Sequence, residues 1–151
     1  DYRDLAERQP GLQRFVFENA WGGASIDYAD EAALEELTRS LLADFYEIRG
    51  WKLPPDYLCP PVPQRADYIH VLADLLTTGP APPRGPNVRG LDVGTGAGCI
   101  YCLLGAKEYG WSFIASDVDE GAIQNAGAIL AENGLQEQVE LRLQKDPKRV
   151  L

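Results

Sequence analysis

The sequence is poor in the residues that build metal centres, disulfide frameworks and histidine-based catalytic sites. Its 151 residues include one histidine, three cysteines and no methionine. Cys59, Cys99 and Cys102 are an odd number of thiols with no ligand-like partners nearby, which argues against a zinc site or a disulfide framework. Cys99 and Cys102 stand one helical turn apart, so we predict that they are packing residues. We therefore expect no metal.

The sequence also lacks the signals of export or membrane insertion. No apolar run approaches the roughly 18 residues of a membrane span, and no segment resembles a secretory signal peptide. We expect a cytoplasmic protein with no membrane partner. Because the chain begins at Asp1 and has no methionine, we also expect it to be a fragment of a longer protein.

Positive charge is scarce as well. Lys and Arg number 14 against 23 Asp and Glu, which gives a formal net charge of −9 at pH 7. Proteins that bind nucleic acids usually present a basic face, because contacts to phosphates supply most of the sequence-independent affinity. If the partner is RNA, we expect most of the contact surface to lie elsewhere.

Glycine, by contrast, is concentrated in one informative place. Residues 91–101 read LDVGTGAGCIY, a strand-forming stretch followed by alternate glycines and the start of an apolar helical pattern. Glycine allows positive φ angles and lets the backbone approach a ligand closely. Gly94, Gly96 and Gly98 therefore predict a turn that points several free backbone N–H groups at a bound nucleotide.

An acid at the end of the next predicted strand supports a nucleoside site. Asp117 ends this strand and lies after Gly94 at about the 20-residue spacing at which Rossmann-like units place a carboxylate on ribose hydroxyls. Asp119 could compete for the ribose, but we interpret it as the N-cap of the following helix.

The glycine pattern also distinguishes between cofactors. A dinucleotide fingerprint requires Gly or Ala at the third glycine position, where this chain has Cys99. The chain has instead Asp92-x-Gly94-x-Gly96, which is typical of S-adenosylmethionine-dependent methyltransferases. A carboxylate at Asp92 suits a cofactor with a sulfonium and an ammonium group better than it suits a pyrophosphate. A nicotinamide enzyme and a tight turn without a ligand are the alternatives.

The order of the predicted elements gives the fold class. We predict strands over 88–93, 111–117 and 138–144, with helices over 98–109 and 119–133 between them. This order predicts an α/β fold with a parallel sheet and right-handed crossovers. Taken with the Asp92-x-Gly94-x-Gly96 pattern and the family resemblance given below, we interpret it as the first three strands of an incomplete Rossmann-like class I methyltransferase domain.

A mainly helical segment precedes this half-domain. Asp30 is predicted to cap an amphipathic helix over 31–48 whose apolar stripe is Leu34, Leu37, Leu41, Leu42 and Phe45. A proline-rich connector over 50–64 leads to a second helix, which ends near Leu76 and turns Ile69, Leu72 and Leu76 inward. A linker over 77–86 is the best internal boundary, so we divide the chain into 1–86 and 87–151.

Three motifs together resemble one known family. LCPPVPQRADYIH (58–70), LDVGTGAGCIY (91–101) and EYGWSF (108–113) are similar to the bacterial 23S rRNA adenine-N6 methyltransferases. They are similar, more loosely, to the eukaryotic methyltransferases of small nuclear RNA and messenger RNA hairpins. The resemblance runs from about Tyr2 to Lys145. It implies a Rossmann-like enzyme that binds S-adenosylmethionine and methylates N6 of an adenine in structured RNA, with large-subunit rRNA as the expected partner.

The resemblance also assigns residues to the cofactor site. Arg65 matches an arginine that reaches the cofactor, where a guanidinium can bind the methionine carboxylate through two hydrogen bonds; an ordinary surface arginine is the alternative. Family members often have Asn or Ser where this chain has Gly98, so only the backbone can serve there. The full predicted site is Arg65, Asp92, Gly94, Thr95, Gly96, Gly98 and Asp117.

The resemblance implies, finally, a catalytic loop that this sequence does not contain. In the family, an Asn-Pro-Pro-Phe loop accepts the protons of the adenine amino group after the base has been flipped out of its stack. No Asn-Pro-Pro occurs here, so we assign no catalytic residue and expect the chain alone to be inactive. We interpret His70 as structural. The alternative from another class is a non-catalytic module that binds the cofactor or a partner.

Overall fold

The described part of the chain, residues 1–146 of this computed structural model, is a helical region followed by a β-α-β-α-β unit. Residues 147–151 of the predicted second segment lie outside it. The helices are α1 (Tyr2–Arg8), a 3₁₀ helix (Pro10–Phe15), α2 (Glu31–Tyr46), α3 (Val62–Leu75), α4 (Ile100–Tyr109) and α5 (Glu120–Glu132). The strands are β1 (Phe17–Glu18), β2 (Ala24–Ser25), β3 (Arg89–Val93), β4 (Ser112–Asp117) and β5 (Val139–Leu143). Among residues 1–146, no helix is long and apolar enough to cross a membrane.

The three longer strands form one parallel sheet in the order β3-β4-β5. The predicted α/β class and the predicted strand–helix alternation are confirmed, with shifts of one or two residues at element ends. In a parallel sheet the carboxyl ends of the strands meet at one edge, which is where open α/β sheets bind ligands. The glycine turn after β3 and Asp117 at the end of β4 therefore meet at this edge.

The two faces of the sheet have different surroundings. Side chains alternate along β3, so Asp92 contacts Cys102 of α4 while Leu91 and Val93 point to the opposite face. Leu91 is 50% exposed and Val93 is 52% exposed. In the described residues, helices therefore cover only one face.

One aromatic ring and two glycines set the packing of α4 on the sheet. Phe113 of β4 lies between Gly90 of β3 and Gly105 of α4. A Cβ atom at either glycine would lie 2.5 Å from the nearest ring carbon, closer than such atoms approach. The absence of a side chain at both positions thus makes room for the ring.

The larger of two apolar cores joins the helical region to the sheet. Leu42, Ile48, Trp51 and Ile69 pack there with residues of α4, β4 and α5. A smaller core around Leu12 holds α1, the 3₁₀ helix and the first half of α2 together. The division of the chain between residues 86 and 87 stays a prediction, and the larger core draws on both sides of it.

Two predicted inward positions are wrong. Asp30 caps α2 as predicted, accepting hydrogen bonds from the N–H groups of Ala32 and Ala33. Phe45, however, is 63% exposed, whereas the next residue, Tyr46, packs against the larger core. Leu76 is 48% exposed because α3 ends one residue before it.

The start of α3 also differs from the prediction. The helix begins at Val62 rather than near Arg65, with a proline in its first turn. Proline fits there because the first N–H groups of a helix have no partner inside the helix. The proline-rich connector is correspondingly shorter than predicted.

Candidate functional site: the edge of the sheet

The turn after β3 has the backbone conformation that its glycines predict. Gly94 and Gly96 have φ angles of +75° and +67°, and a Cβ atom at either position would meet nothing within 4 Å. The turn therefore combines a conformation that disfavours other residues with open space above the backbone. A ligand can approach the main chain directly at these two positions.

Most N–H groups of the turn are used within the protein. Those of Gly94 and Thr95 donate to the carbonyl of Ser116 at 2.8 and 3.0 Å, and that of Gly96 donates to Asp117 Oδ2 at 2.8 Å. The prediction of free N–H groups is therefore wrong at these three positions, because the ends of β3 and β4 bond to each other here. These three N–H groups are therefore not free to bind a phosphate.

Asp117 lies directly beside the turn, as its spacing predicts. Its Oδ2 accepts the Gly96 N–H and its Oδ1 accepts the N–H of Asp119 at 3.0 Å. A carboxylate has about four lone-pair sites. Each oxygen of Asp117 therefore keeps the capacity to accept a hydrogen bond from a ribose hydroxyl.

Asp92 and Thr95 support the glycine turn on the side that faces α4. The Thr95 hydroxyl donates to Asp92 Oδ2 at 2.8 Å, and the Cys102 thiol reaches the same oxygen at 3.5 Å. A hydrogen bond to Cys99, together with burial, raises the pKa of the Cys102 thiol, which therefore stays protonated. Cys99 and Cys102 are free thiols within the larger core, as the packing prediction requires.

Gly98 lies in tight contact with Trp51. A Cβ atom there would lie 3.1 Å from the Trp51 ring, and the Trp51 Nε1–H donates to the Gly98 carbonyl at 3.0 Å. The backbone of Gly98 thus contacts the connector.

Arg65 is linked to the turn indirectly. Its Nη1 donates to the Tyr101 hydroxyl at 2.6 Å, and its Cζ lies 5.4 Å from the centre of that ring. Tyr101 belongs to the first turn of α4, which follows the glycine turn. The guanidinium is thereby held near the site by the helix that the turn begins.

Sequence reasoning missed the part of the site that the connector supplies. Besides the Trp51 contact, Asn125 of α5 donates to the carbonyls of Lys52 and Ala97 at 2.9 Å each. One side chain thus joins the connector to the glycine turn. A tryptophan three residues before a Pro-Pro pair was the available signal.

A second connector residue, Tyr57, reaches the end of β4. Its hydroxyl donates to Asp119 Oδ2 at 2.7 Å. Asp119 also caps α5, as predicted, because its Oδ1 accepts the N–H groups of Gly121 and Ala122. The Tyr57 hydrogen bond is the main cause that lowers the pKa of Asp119, and the Asp119 carboxylate raises the pKa of Tyr57.

His70 lies away from this edge and bonds to two tyrosines. Its Nδ1 is 2.7 Å from the Tyr109 hydroxyl and its Nε2 is 3.2 Å from the Tyr46 hydroxyl. Both ring nitrogens thus have a partner within the helical layer. This arrangement agrees with a structural role.

Comparison with curated proteins identifies relatives over the whole chain. A family described as RNA methyltransferase matches residues 1–151. The chain is 50% identical over 153 residues to ribosomal RNA large subunit methyltransferase F of Pseudomonas aeruginosa PAO1, covering 99% of this chain and 46% of the relative. It is 50% identical over 151 residues to the protein of that name from Serratia proteamaculans, covering 98% of this chain and 45% of the relative. The chain thus spans about half the length of the curated relatives it matches.

Solved structures agree with this assignment. The METTL16 MTase domain has a TM-score of 0.86 at 34% identity, covering 100% of this chain and 57% of that one. The N-terminal domain of human METTL16 in complex with SAH (S-adenosylhomocysteine) has a TM-score of 0.82 at 34% identity, covering 94% of this chain and 54% of that one. The hMettl16 catalytic domain in complex with MAT2A 3′UTR hairpin 6 has a TM-score of 0.82 at 35% identity, covering 96% of this chain and 50% of that one. The chain belongs to the RNA methyltransferase family.

Proposed function

We propose that this chain is the cofactor-binding part of an S-adenosylmethionine-dependent methyltransferase that modifies N6 of an adenine in 23S rRNA. The observation that carries the proposal is the turn after β3, where Gly94 and Gly96 leave the backbone open beside Asp117. Membership of the RNA methyltransferase family and a structural neighbour in complex with SAH support it.

The chemistry of the site fits this cofactor. When bound, S-adenosylmethionine supplies an electrophilic methyl group on a sulfonium. Asp117 accepts hydrogen bonds from the ribose hydroxyls, and the open backbone at Gly94 and Gly96 receives the nucleoside. Arg65, held by Tyr101, binds the methionine carboxylate. The N–H groups of Gly94, Thr95 and Gly96 bond within the protein, so these three are not available to a pyrophosphate.

The remaining predicted residues act on the turn. Thr95 and Asp92 hold its base through their hydrogen bond. Gly98 makes room for Trp51, which fixes the connector against the turn. These three residues therefore position the backbone that meets the cofactor.

The RNA substrate is supported by the relatives. The curated relatives are named as large-subunit rRNA methyltransferases, and a structural neighbour was solved with an RNA hairpin. The N6 position follows from the motif resemblance, with small nuclear RNA or messenger RNA hairpins as the alternative substrates. The net charge of −9 agrees with an RNA contact surface that lies mainly outside this chain. An rRNA target also implies action in the cytoplasm.

The first prediction tests the cofactor by titration calorimetry. We expect the chain to bind S-adenosylhomocysteine and not NADH. Gly96→Ala should weaken that binding by roughly tenfold or more, because the methyl group enters the open space and because a positive φ costs alanine about 1–2 kcal/mol.

Gly134→Ala is the matched control for this change. Gly134 has a φ of +66° and open surroundings, but it lies after α5, away from the turn. The two variants should lose similar stability, and only Gly96→Ala should lose affinity. Equal affinity in both variants, or no binding by the unaltered chain, would contradict the proposed site. Binding of NADH alone would favour a nicotinamide enzyme.

The substrate needs a separate measurement. Mass spectrometry of digested 23S rRNA from cells with and without the gene should show one N6-methyladenosine that depends on it. Loss of a different modified nucleoside would refute the assignment to N6.

A further inference from the structure

We infer that Tyr57 is a positioning residue of the cofactor site, because its hydrogen bond to Asp119 fixes the turn that presents Asp117 to the ribose. This inference rests on the proposed function and assigns to the connector a part in cofactor affinity.

Three hydrogen bonds in series join the connector to the glycine turn. The Tyr57 hydroxyl donates to Asp119 Oδ2 at 2.7 Å. The Asp119 N–H donates to Asp117 Oδ1 at 3.0 Å, and the Gly96 N–H donates to Asp117 Oδ2 at 2.8 Å. Both oxygens of the ribose-binding carboxylate are therefore oriented by groups that this series connects.

The turn at 117–119 has little apolar packing of its own. Val118, between the two acids, is 62% exposed. The two oxygens of the Asp119 carboxylate have different partners. Oδ1 accepts hydrogen bonds from the first N–H groups of α5, and Oδ2 accepts one from the Tyr57 hydroxyl. The phenol is thus the contact that supports this turn from the side of the connector.

The neighbouring backbone leaves space for the phenol. A Cβ atom at Gly121 would lie 2.9 Å from the Tyr57 hydroxyl. Any larger residue at this position of α5 would push the hydroxyl away from Asp119. Glycine at position 121 therefore leaves room for the hydrogen bond between Tyr57 and Asp119.

Tyr57 is also held in place before any ligand binds. Pro54, Pro55 and Pro60 restrict the φ angles of the connector. Trp51 anchors its start on Gly98 with a fully buried ring. A group that is ordered in advance loses little entropy when it stabilises a binding site.

The test compares two ligands across tyrosine variants. Tyr57→Phe should raise the Kd of S-adenosylhomocysteine about threefold to tenfold, as expected for one hydrogen bond. The 2′,3′-dideoxy analogue, which lacks the ribose hydroxyls, should bind the variant and the unaltered chain equally. Tyr28→Phe is the control, because that hydroxyl bonds to Tyr2 in the N-terminal region. It should change neither Kd.

A second variant separates positioning from folding. Serine in Asp119→Ser can still cap α5 but cannot reach Tyr57. Adding Tyr57→Phe to it should cause no further loss of affinity. Equal losses for both ligands, an unchanged Kd in Tyr57→Phe, or additive losses in the double variant would each overturn the inference. If the unaltered chain does not bind S-adenosylhomocysteine, the proposed function fails first and the inference with it.

Discussion

At the scale of single residues, the glycines of the α/β unit differ in what excludes a side chain. At Gly94 and Gly96 the reason is a positive φ angle beside open space. At Gly105 the reason is the Phe113 ring, which occupies the place of a Cβ atom, and at Gly98 the Trp51 ring leaves only a tight fit. Replacing a glycine of the first kind is expected to weaken ligand binding, and replacing one of the second kind is expected to lower the stability of the fold.

A pair of helical glycines tests the second kind. Gly105→Ala should lower the free energy of unfolding by about 1–3 kcal/mol, because its methyl group would lie 2.5 Å from Phe113. Gly127→Ala in α5 should instead raise it by about 0.5–1 kcal/mol, because its nearest neighbour, Leu141, would be 3.5 Å away. Urea denaturation measures both values. Two changes of the same sign would contradict this account of α4 packing.

The residues that the glycine pattern identified have their contacts close by in the chain or at a fixed spacing, whereas Arg65 was identified by family resemblance. Gly94, Gly96 and Asp117 follow from the strand–turn–helix pattern of one βαβ unit. Tyr57 and Trp51 have partners 62 and 47 positions away. No periodicity connects such residues, so only the folded chain brings them to the site.

At the scale of elements, the connector contributes more than its irregular sequence indicates. Its prolines predict a stiff segment, but they do not predict which surface it crosses. The structure places it over the glycine turn and α5, where Trp51 and Asn125 hold it. The helices were easier to predict, since Asp30 and Asp119 mark their starts by capping chemistry.

Replacing Trp51 by phenylalanine, with Trp21 as the control, tests this anchor. Trp51→Phe should lower the free energy of unfolding by about 2–4 kcal/mol, because it leaves the buried Gly98 carbonyl without its donor and opens a cavity. Trp21→Phe should change it by less than about 0.5 kcal/mol, because Trp21 is 91% exposed. Chemical denaturation distinguishes the two. A small loss in both would mean that the connector is not anchored by Trp51.

At the scale of the whole molecule, the two faces of the sheet are unequal. Helices cover the face that carries Asp92 and Phe113, and the other face exposes half of Leu91 and Val93. Within residues 1–146, β3 also pairs on one side only. Exposed apolar side chains on a strand with a free edge favour association with other chains.

A charge on this face should therefore reduce association. Leu91→Lys should lower the binding of an apolar dye and the fraction of higher oligomers seen by sedimentation velocity. Leu75→Lys is the control, because Leu75 is 75% exposed at the end of α3, away from the sheet. An equal effect of both changes would show that general charge, and not this face, governs association.

The Trp51–Gly98 contact has an optical consequence. Trp51 and Trp111 are 0% and 3% exposed, whereas Trp21 is almost fully exposed. A collisional quencher such as acrylamide will suppress the emission of Trp21 and leave that of the two buried indoles. Of these, Trp51 bonds directly to the backbone of the glycine turn. The chain thus contains its own fluorescent reporter on that turn, and quenched emission spectra can follow its occupancy without a label.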